Sequence, residues 1–246
     1  MNRTTLTLLW RELESLFFSP LAYIVLTVFL ILSGFSFVLA LAASGGVVSD
    51  TISIFLADGA LFWICLLMVP ALVTMRLVAE ERRSGTLEVL LTAPVRDRDV
   101  ILSKFLGALV FQAFLWAPTL VYIRVLRGYG ALPDPGQVFT SYLGIACVTA
   151  LLTAIGLLFS TRTSNQIIAA VGSLTVNMLV LAVPMFVQAE RFGPVGRAFK
   201  TVSILDHFAT SFSRGLLDSG VLAFYVAATA GVLVLCVRSL EARRWR

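Results

Sequence analysis

Residues 21–43 read LAYIVLTVFLILSGFSFVLALAA, an apolar run without a single Asp, Glu, Lys or Arg. A helix rising about 1.5 Å per residue needs about 20 such residues to cross a hydrocarbon layer about 30 Å thick, so this run is long enough to span a bilayer. A cleaved signal peptide has an apolar region of only about 7 to 15 residues. The run therefore reads as a retained first span, and the small residues at 40–43 as a helix end. Working outward, comparable runs recur at 61–78, 100–125, 138–159, 167–187 and 221–237, each bounded by polar, Gly or Pro residues. The expected fold is all-α: a polytopic membrane protein with six transmembrane helices.

Composition agrees. Of 246 residues, 59% are hydrophobic and 13% charged, against about 45 to 50% and 25% in an average soluble domain. Mean hydropathy is +0.93. The spans leave no room for a soluble catalytic domain of ordinary size. The net charge of +5 would suggest nucleic acid in a soluble protein, but here the basic residues report topology, and no nucleic-acid partner is expected. With the N-terminus in the cytoplasm, Arg3, Arg11, Arg76, Arg82, Arg83, Arg96, Arg98, Lys104, Arg162, Arg238, Arg243, Arg244 and Arg246 fall inside. Only Arg124, Arg127, Arg191, Arg197, Lys200 and Arg214 fall outside. The positive-inside rule then places both termini in the cytoplasm, as an even number of spans requires.

Three segments between spans carry a pattern of their own. Leu6, Leu9, Leu13, Leu16 and Phe17 recur at helical spacing, interrupted by Arg11, Glu12 and Glu14, which predicts an amphipathic helix along the cytoplasmic leaflet before Pro20 opens the first span. Ile204, Leu205, Phe208, Phe212 and Leu216 form a second stripe, expected to dip into the outer interface. The third segment, 80–94, reads EERRSGTLEVLLTAP and is followed by Arg96, Asp97, Arg98 and Asp99. Leu87, Leu90 and Leu91 sit at i, i+3 and i+4, the apolar ridge of a short helix that Pro94 would end. Such a ridge either docks in a partner's groove or rests on the membrane surface.

The string Glu80-Glu81-Arg82-Arg83-Ser84-Gly85-Thr86-Leu87-Glu88-x-Leu90-Leu91-x-x-Pro94, with Lys104 opening the next helix, resembles the loop between helices two and three of ABC-2 type transporter permeases, in particular the gliding-motility-type subfamily. Glu12 and Ser19 to Tyr23 resemble that subfamily's approach to helix one. Gly156, Ser160, Thr163, Asn165, Gln166 and Ala169 resemble its turn between helices four and five. Ser203, His207, Phe208, Phe212, Arg214, Gly215 and Asp218 resemble the segment before its last helix, and Ser239, Leu240, Glu241 and Trp245 its C-terminus.

The resemblance implies one transmembrane domain over 1–246, with a connector helix in 1–20, a cytoplasmic coupling loop at 80–99 and an outer segment with short helices at 188–220. It further implies a bacterial inner-membrane location and a dimer with a second permease copy or paralogue. ATP-binding cassette ATPase subunits would carry ATP and Mg and dock on Glu80, Glu81, Arg82, Arg83, Gly85, Thr86, Leu87, Glu88, Leu90, Leu91 and Pro94. An accessory periplasmic-domain protein is a further expected partner, beside membrane lipid.

Chemistry within the chain is not expected. A P-loop needs a Gly-Lys pair, and Lys104 and Lys200 follow Ser103 and Phe199. His207 is the only histidine, and the three cysteines lie far apart in apolar runs, so no metal site or catalytic residue and no cofactor is expected. Polar residues inside spans need a partner or a cavity. Gln112, Asn177, Asp58 and Arg124 are therefore candidates for a translocation path or dimer seam, with helix-to-helix hydrogen bonding or snorkelling as the alternative for each. The expected function is the membrane subunit of an ABC-2 exporter; an ATP-independent transporter or channel and a non-transporting scaffold stay open.

Overall fold

A computed structural model describes residues 3–45, 51, 54–86, 95–128, 134–186, 193 and 202–244, and all regular structure among them is helical. In chain order the helices are α1 (Arg3–Phe17), α2 (Pro20–Ala43), α3 (Ala60–Leu77), α4 (Ala79–Arg83), α5 (Asp97–Trp116), α6 (Leu120–Gly128), α7 (Pro135–Arg162), α8 (Gln166–Phe186), α9 (Ile204–Thr210) and α10 (Ser219–Arg244). A π-helical turn, Ile54–Asp58, precedes α3, and 3-10 turns lie at Ala117–Thr119 and Phe212–Arg214.

Local chemistry sets many of the boundaries. Pro20 occupies the first turn of α2, where its missing N–H is harmless. Asp134 precedes Pro135 at the start of α7 and accepts from the Gly136 N–H at 3.0 Å. Asn165 caps α8 by accepting from the N–H groups of Ile167 and Ile168, and Ser203 caps α9 through the N–H of Asp206. Asp97 and Asp99 lie in the first turn of α5, where the helix dipole favours negative charge.

Five helical segments are long and apolar enough to cross a membrane: Pro20–Ala43, Ile54–Arg83, Asp97–Gly128, Pro135–Arg162 and Ser219–Ala242. The sixth expected run forms α8, apolar over Gln166–Ala182. Two expectations change. The run at 100–125 starts earlier, at Asp97, and is divided into α5 and α6 by a 3-10 turn containing Pro118, which has no N–H to continue the α-helical ladder. The stripe at 204–216 is not one interfacial helix: α9 stops at Thr210, and Ile204, Phe208 and Phe212 are buried in the bundle while Leu216 is exposed. Phe208 packs against Phe62 and Trp63, and Phe212 against Tyr225.

The centre of the bundle is α7, which contacts α3, α5, α8 and α10. Its closest approach is at Gly156, where an added Cβ would fall 2.1 Å from Thr74 Oγ1 of α3. By contrast α2 and α10 are only 33% and 22% buried over their apolar windows, so they form the outer faces of the subunit.

Candidate functional site

Among the described residues, a network of charge contacts gathers at one end of the bundle, where α1, α4 and the start of α5 meet. Lys104, two turns into α5, is 1% exposed. Its Nζ lies 2.9 Å from Glu12 Oε1 of α1 and 2.9 Å from Glu81 Oε2 of α4. Arg11 closes the ring, with Nη2 3.2 Å from both Glu12 Oε1 and Glu81 Oε1. Two cations and two carboxylates thus form a neutral knot. An ammonium group buried without a counter-ion would cost several kcal/mol, so the pairing is a condition for Lys104 to be there at all.

The helix faces fit this knot. Thr5 and Glu12, seven residues apart, are the buried polar line of α1, and Thr5 Oγ1 donates to Asp99 Oδ1 at 3.4 Å. The apolar residues beside that line, Leu9, Leu16 and Phe17, are half-buried against α5. Phe17 meets Phe111 and Phe114 edge-on at 5.3 and 5.1 Å. Gly107 gives α1 room: a Cβ there would stand 3.2 Å from Glu12 Cβ. The amphipathic segment expected along the leaflet therefore grips the bundle, while Leu6 and Trp10 remain exposed on its far side.

A second pair lies beside the knot. Arg76, in the last turn of α3, places Nε 2.7 Å from Glu80 Oε2 and donates from Nη1 to Ser19 Oγ, just before α2. Between the two pairs is a cavity of about 270 Å³ bordered by Arg11, Glu12, Ser15, Arg76, Glu80 and Glu81. Four successive elements, α1 to α4, and α5 thereby meet at one polar junction.

The short break between α3 and α4 is fixed from α7. Ser160 Oγ accepts from the N–H groups of Val78 and Ala79, both at 3.1 Å. Ser160 is fully buried, so Ser160→Ala leaves two N–H groups in the protein interior without their acceptor. The expected loss is about 1 to 3 kcal/mol, read as a lower unfolding temperature in detergent; an unchanged temperature would remove Ser160 from this role.

The expected coupling residues divide. Glu80, Glu81, Arg82 and Arg83 form α4, with Glu80 and Glu81 held in the two ion-pair groups and Arg83 exposed. Gly85 turns the chain with φ +75°, and Thr86 Oγ1 donates back to Glu81 O at 3.2 Å. Leu87, Glu88, Leu90, Leu91 and Pro94, which carry the expected apolar ridge, lie outside the described residues.

Of the span candidates, Gln112, Asn177 and Arg124 lie on three different helices, α5, α8 and α6. Gln112 is buried in α5, and its Nε2 donates to Thr153 Oγ1 of α7 at 2.9 Å and to Ala108 O at 3.3 Å, a helix-to-helix hydrogen bond. It also borders an apolar cavity of about 450 Å³ with Trp116, Tyr142 and Thr149. Asn177 is fully buried within α8. Arg124 is exposed on α6. Asp58 ends the π-helical turn, and its side chain lies outside the described residues.

Sequence reasoning missed Glu12 as a buried partner, having read it as an interruption of the apolar stripe. The signal was available in Lys104, a lone ammonium beside a long apolar run that needed an anion from elsewhere in the chain. His207 is packed edge-on against Phe224 and Tyr225 at 5.5 and 5.9 Å. Among the described residues no three His, Cys, Asp or Glu side chains are grouped as a metal site requires.

The geometry of this end of the bundle is that of a joint between helices. Residues 46–197, more than half the chain, match the family model described as ABC-2 family transporter protein. The chain belongs to that family. A search of curated proteins gave no significant match. The matched region of this ABC-2 family protein runs from before α3 through α8 and contains the whole of the loop at 80–99 and Lys104. It leaves α1, and with it Glu12, outside. As an ABC-2 family protein the chain is a membrane transporter subunit, and the family implies an ATPase partner.

Proposed function

We propose that this ABC-2 family protein is the permease subunit of an ATP-driven exporter of the gliding-motility type, working as a dimer in a bacterial inner membrane. Six helices cross the bilayer, α2, α3, α5 with α6, α7, α8 and α10, and the charged end of the bundle with both termini faces the cytoplasm. ATP-binding cassette subunits holding ATP and Mg dock there on the apolar ridge of Leu87, Leu90 and Leu91, and an accessory periplasmic-domain protein joins on the other face.

The observation that carries this reading is the knot of Lys104 with Glu12 and Glu81. It ties the connector α1, the segment α4 that leads into the loop, and the spanning helix α5 into one unit. A push on the loop then displaces α5 and α1 together, as the drive of a membrane subunit by an external ATPase requires. The buried pairs leave no slack at this junction, because separating one partner from a buried pair costs about 3 to 5 kcal/mol.

The double substitution Leu87→Asp with Leu90→Asp tests the reading, since two carboxylates cannot enter an apolar groove without large desolvation cost. With the ATPase co-expressed, the wild-type chain is expected to retain it through affinity purification. The variant is expected to lose at least tenfold of it while keeping its own yield and unfolding temperature. Equal retention by the variant would sink the assignment of the loop. Solute transport in liposomes by the chain alone would favour an ATP-independent transporter instead.

A further inference from the structure

At the same end of the bundle a second groove runs between α5 and α10, on the side of α5 away from the polar junction. Its walls are Ile101 and Leu102 on α5 and Ala230, Leu233, Val234 and Val237 on α10, and its volume is about 420 Å³. The α10 residues stand at i, i+3, i+4 and i+7, one face of the helix. From Ala230 to Arg238 that face is about 12 Å long, at about 1.5 Å per residue. Leu102 and Val234 are 39% and 58% exposed, so the trough is open along its length. Both helices belong to segments long and apolar enough to cross a membrane, which makes an open apolar trough between them accessible to an acyl chain.

The end of the trough is charged. Arg98 lies in the first turn of α5 and Arg238 in the last turns of α10, and both line the groove. Arg238 Nη1 is 3.2 Å from Glu241 Oε2, three residues on, with both side chains exposed. Such an exposed pair is weak and does not lock the guanidinium. Arg98 is exposed and forms no ion pair among the described residues. The lining groups thus carry a net positive charge beside an apolar trough, and the chain continues with Arg243, Arg244 and Arg246.

We propose that this groove is a binding site for an anionic phospholipid, one acyl chain lying along Leu233 and Val234 and the phosphate seated between Arg98 and Arg238. An apolar trough with a cationic mouth at the membrane surface is complementary to that amphiphile at both ends. Guanidinium groups hold phosphate oxygens in pairs through fixed N–H forks. The surplus positive charge selects an anionic headgroup over a zwitterionic one, whose ammonium would face the arginines. The site is separate from the polar junction: Arg98, Arg238 and Val234 make none of its contacts.

The test is lipid retention by the intact chain in detergent, measured by native mass spectrometry with phosphatidylglycerol and phosphatidylcholine added in equal amounts. The wild-type chain is expected to retain phosphatidylglycerol preferentially. Arg98→Gln and Arg238→Gln should each weaken that retention about fivefold and together about thirtyfold, on the scale of about 1 kcal/mol per basic residue. Val234→Trp, at an exposed position, should displace the lipid by filling the trough and leave the arginines in place. Equal retention of the two lipids by the wild type would overturn the proposal. So would unchanged phosphatidylglycerol retention in the double arginine variant. A Val234→Trp chain that keeps its lipid but loses self-association would instead make this face a contact between copies.

Discussion

Lys104→Met is expected to destabilise this protein strongly. It removes the cation that lies within 2.9 Å of both Glu12 and Glu81, while Glu12 stays only 6% exposed. Breaking a buried pair from one side costs about 3 to 5 kcal/mol, because a charge is left behind in a medium that cannot solvate it. Arg11 remains within 3.2 Å of both carboxylates but is half exposed to solvent, so it compensates in part, and the expected loss is about 3 kcal/mol. For a chain of this length that is a fall of about 6 to 12 °C in unfolding temperature. The lesion should be local before it is global. Protease cleavage near Phe18 and Ser19, at the end of α1, is expected to accelerate at temperatures where the spans remain folded. Adding Glu12→Met to Lys104→Met should recover more than half of the loss, since a buried pair can be replaced by apolar groups far more cheaply than it can be halved. A single variant as stable as the wild type would mean that the knot contributes nothing to holding α1.

Gly156→Ala is expected to be nearly as damaging, for a steric reason. The new Cβ would stand 2.1 Å from Thr74 Oγ1 and 3.0 Å from Thr74 Cβ, inside any tolerable contact. Thr74 cannot turn away cheaply: its hydroxyl donates to Pro70 O at 2.7 Å within α3, and a β-branched side chain in a helix has few rotamers. Either α3 and α7 separate or Thr74 leaves its rotamer, and overpacking of this kind costs about 1 to 3 kcal/mol, here at the upper end. Because α7 packs against α3, α5, α8 and α10, a displaced α7 disturbs the whole bundle. The check is a double-mutant cycle. Thr74→Ala alone should be mild, and Thr74→Ala with Gly156→Ala should be more stable than Gly156→Ala by about 1 to 2 kcal/mol. Additive losses would show that the two residues do not meet.

These expectations rest on contacts that sequence pattern could not supply. The apolar run at 21–43 announced its helix by length, and Pro20 announced that helix's start by its chemistry. Those are local signals, and local signals survived. Glu12 and Lys104 are 92 positions apart, and Thr74 and Gly156 are 82 apart, so each residue's role depends on a partner that no periodicity names. Even so, Lys104 raised the question that Glu12 answers. The stripe at 204–216 misled for a related reason: an apolar helix face looks the same whether it meets lipid or the inside of a bundle, and only the packing of Phe208 and Phe212 distinguishes them. The division of α5 from α6 was foreshadowed by Pro118, although proline alone does not tell a kink from a 3-10 turn.

The candidate site was half legible. The charges of α4 were found through the loop motif, and the family match covers that loop. What the motif did not reveal is that Glu80 and Glu81 turn back toward the bundle, to Arg76 and to Lys104, and leave Arg83 facing outward. In this arrangement the acidic pair anchors α4 to the bundle. Helix α1 lies outside the family match, and its place in the junction comes from the geometry alone.

In the proposed function a separate ATPase acts on the outward face of this junction. The most direct measurement is cross-linking from that face: Arg83→Cys, at an exposed position beside the loop, carrying a short sulfhydryl-directed photo-crosslinker, in membranes where the chain is expressed with its ATPase. The expected result is one principal adduct with an ATP-binding cassette subunit, abolished when Leu87→Asp and Leu90→Asp are added to the same chain. Adducts only with lipid or with the chain itself, in membranes that contain the ATPase, would contradict the account.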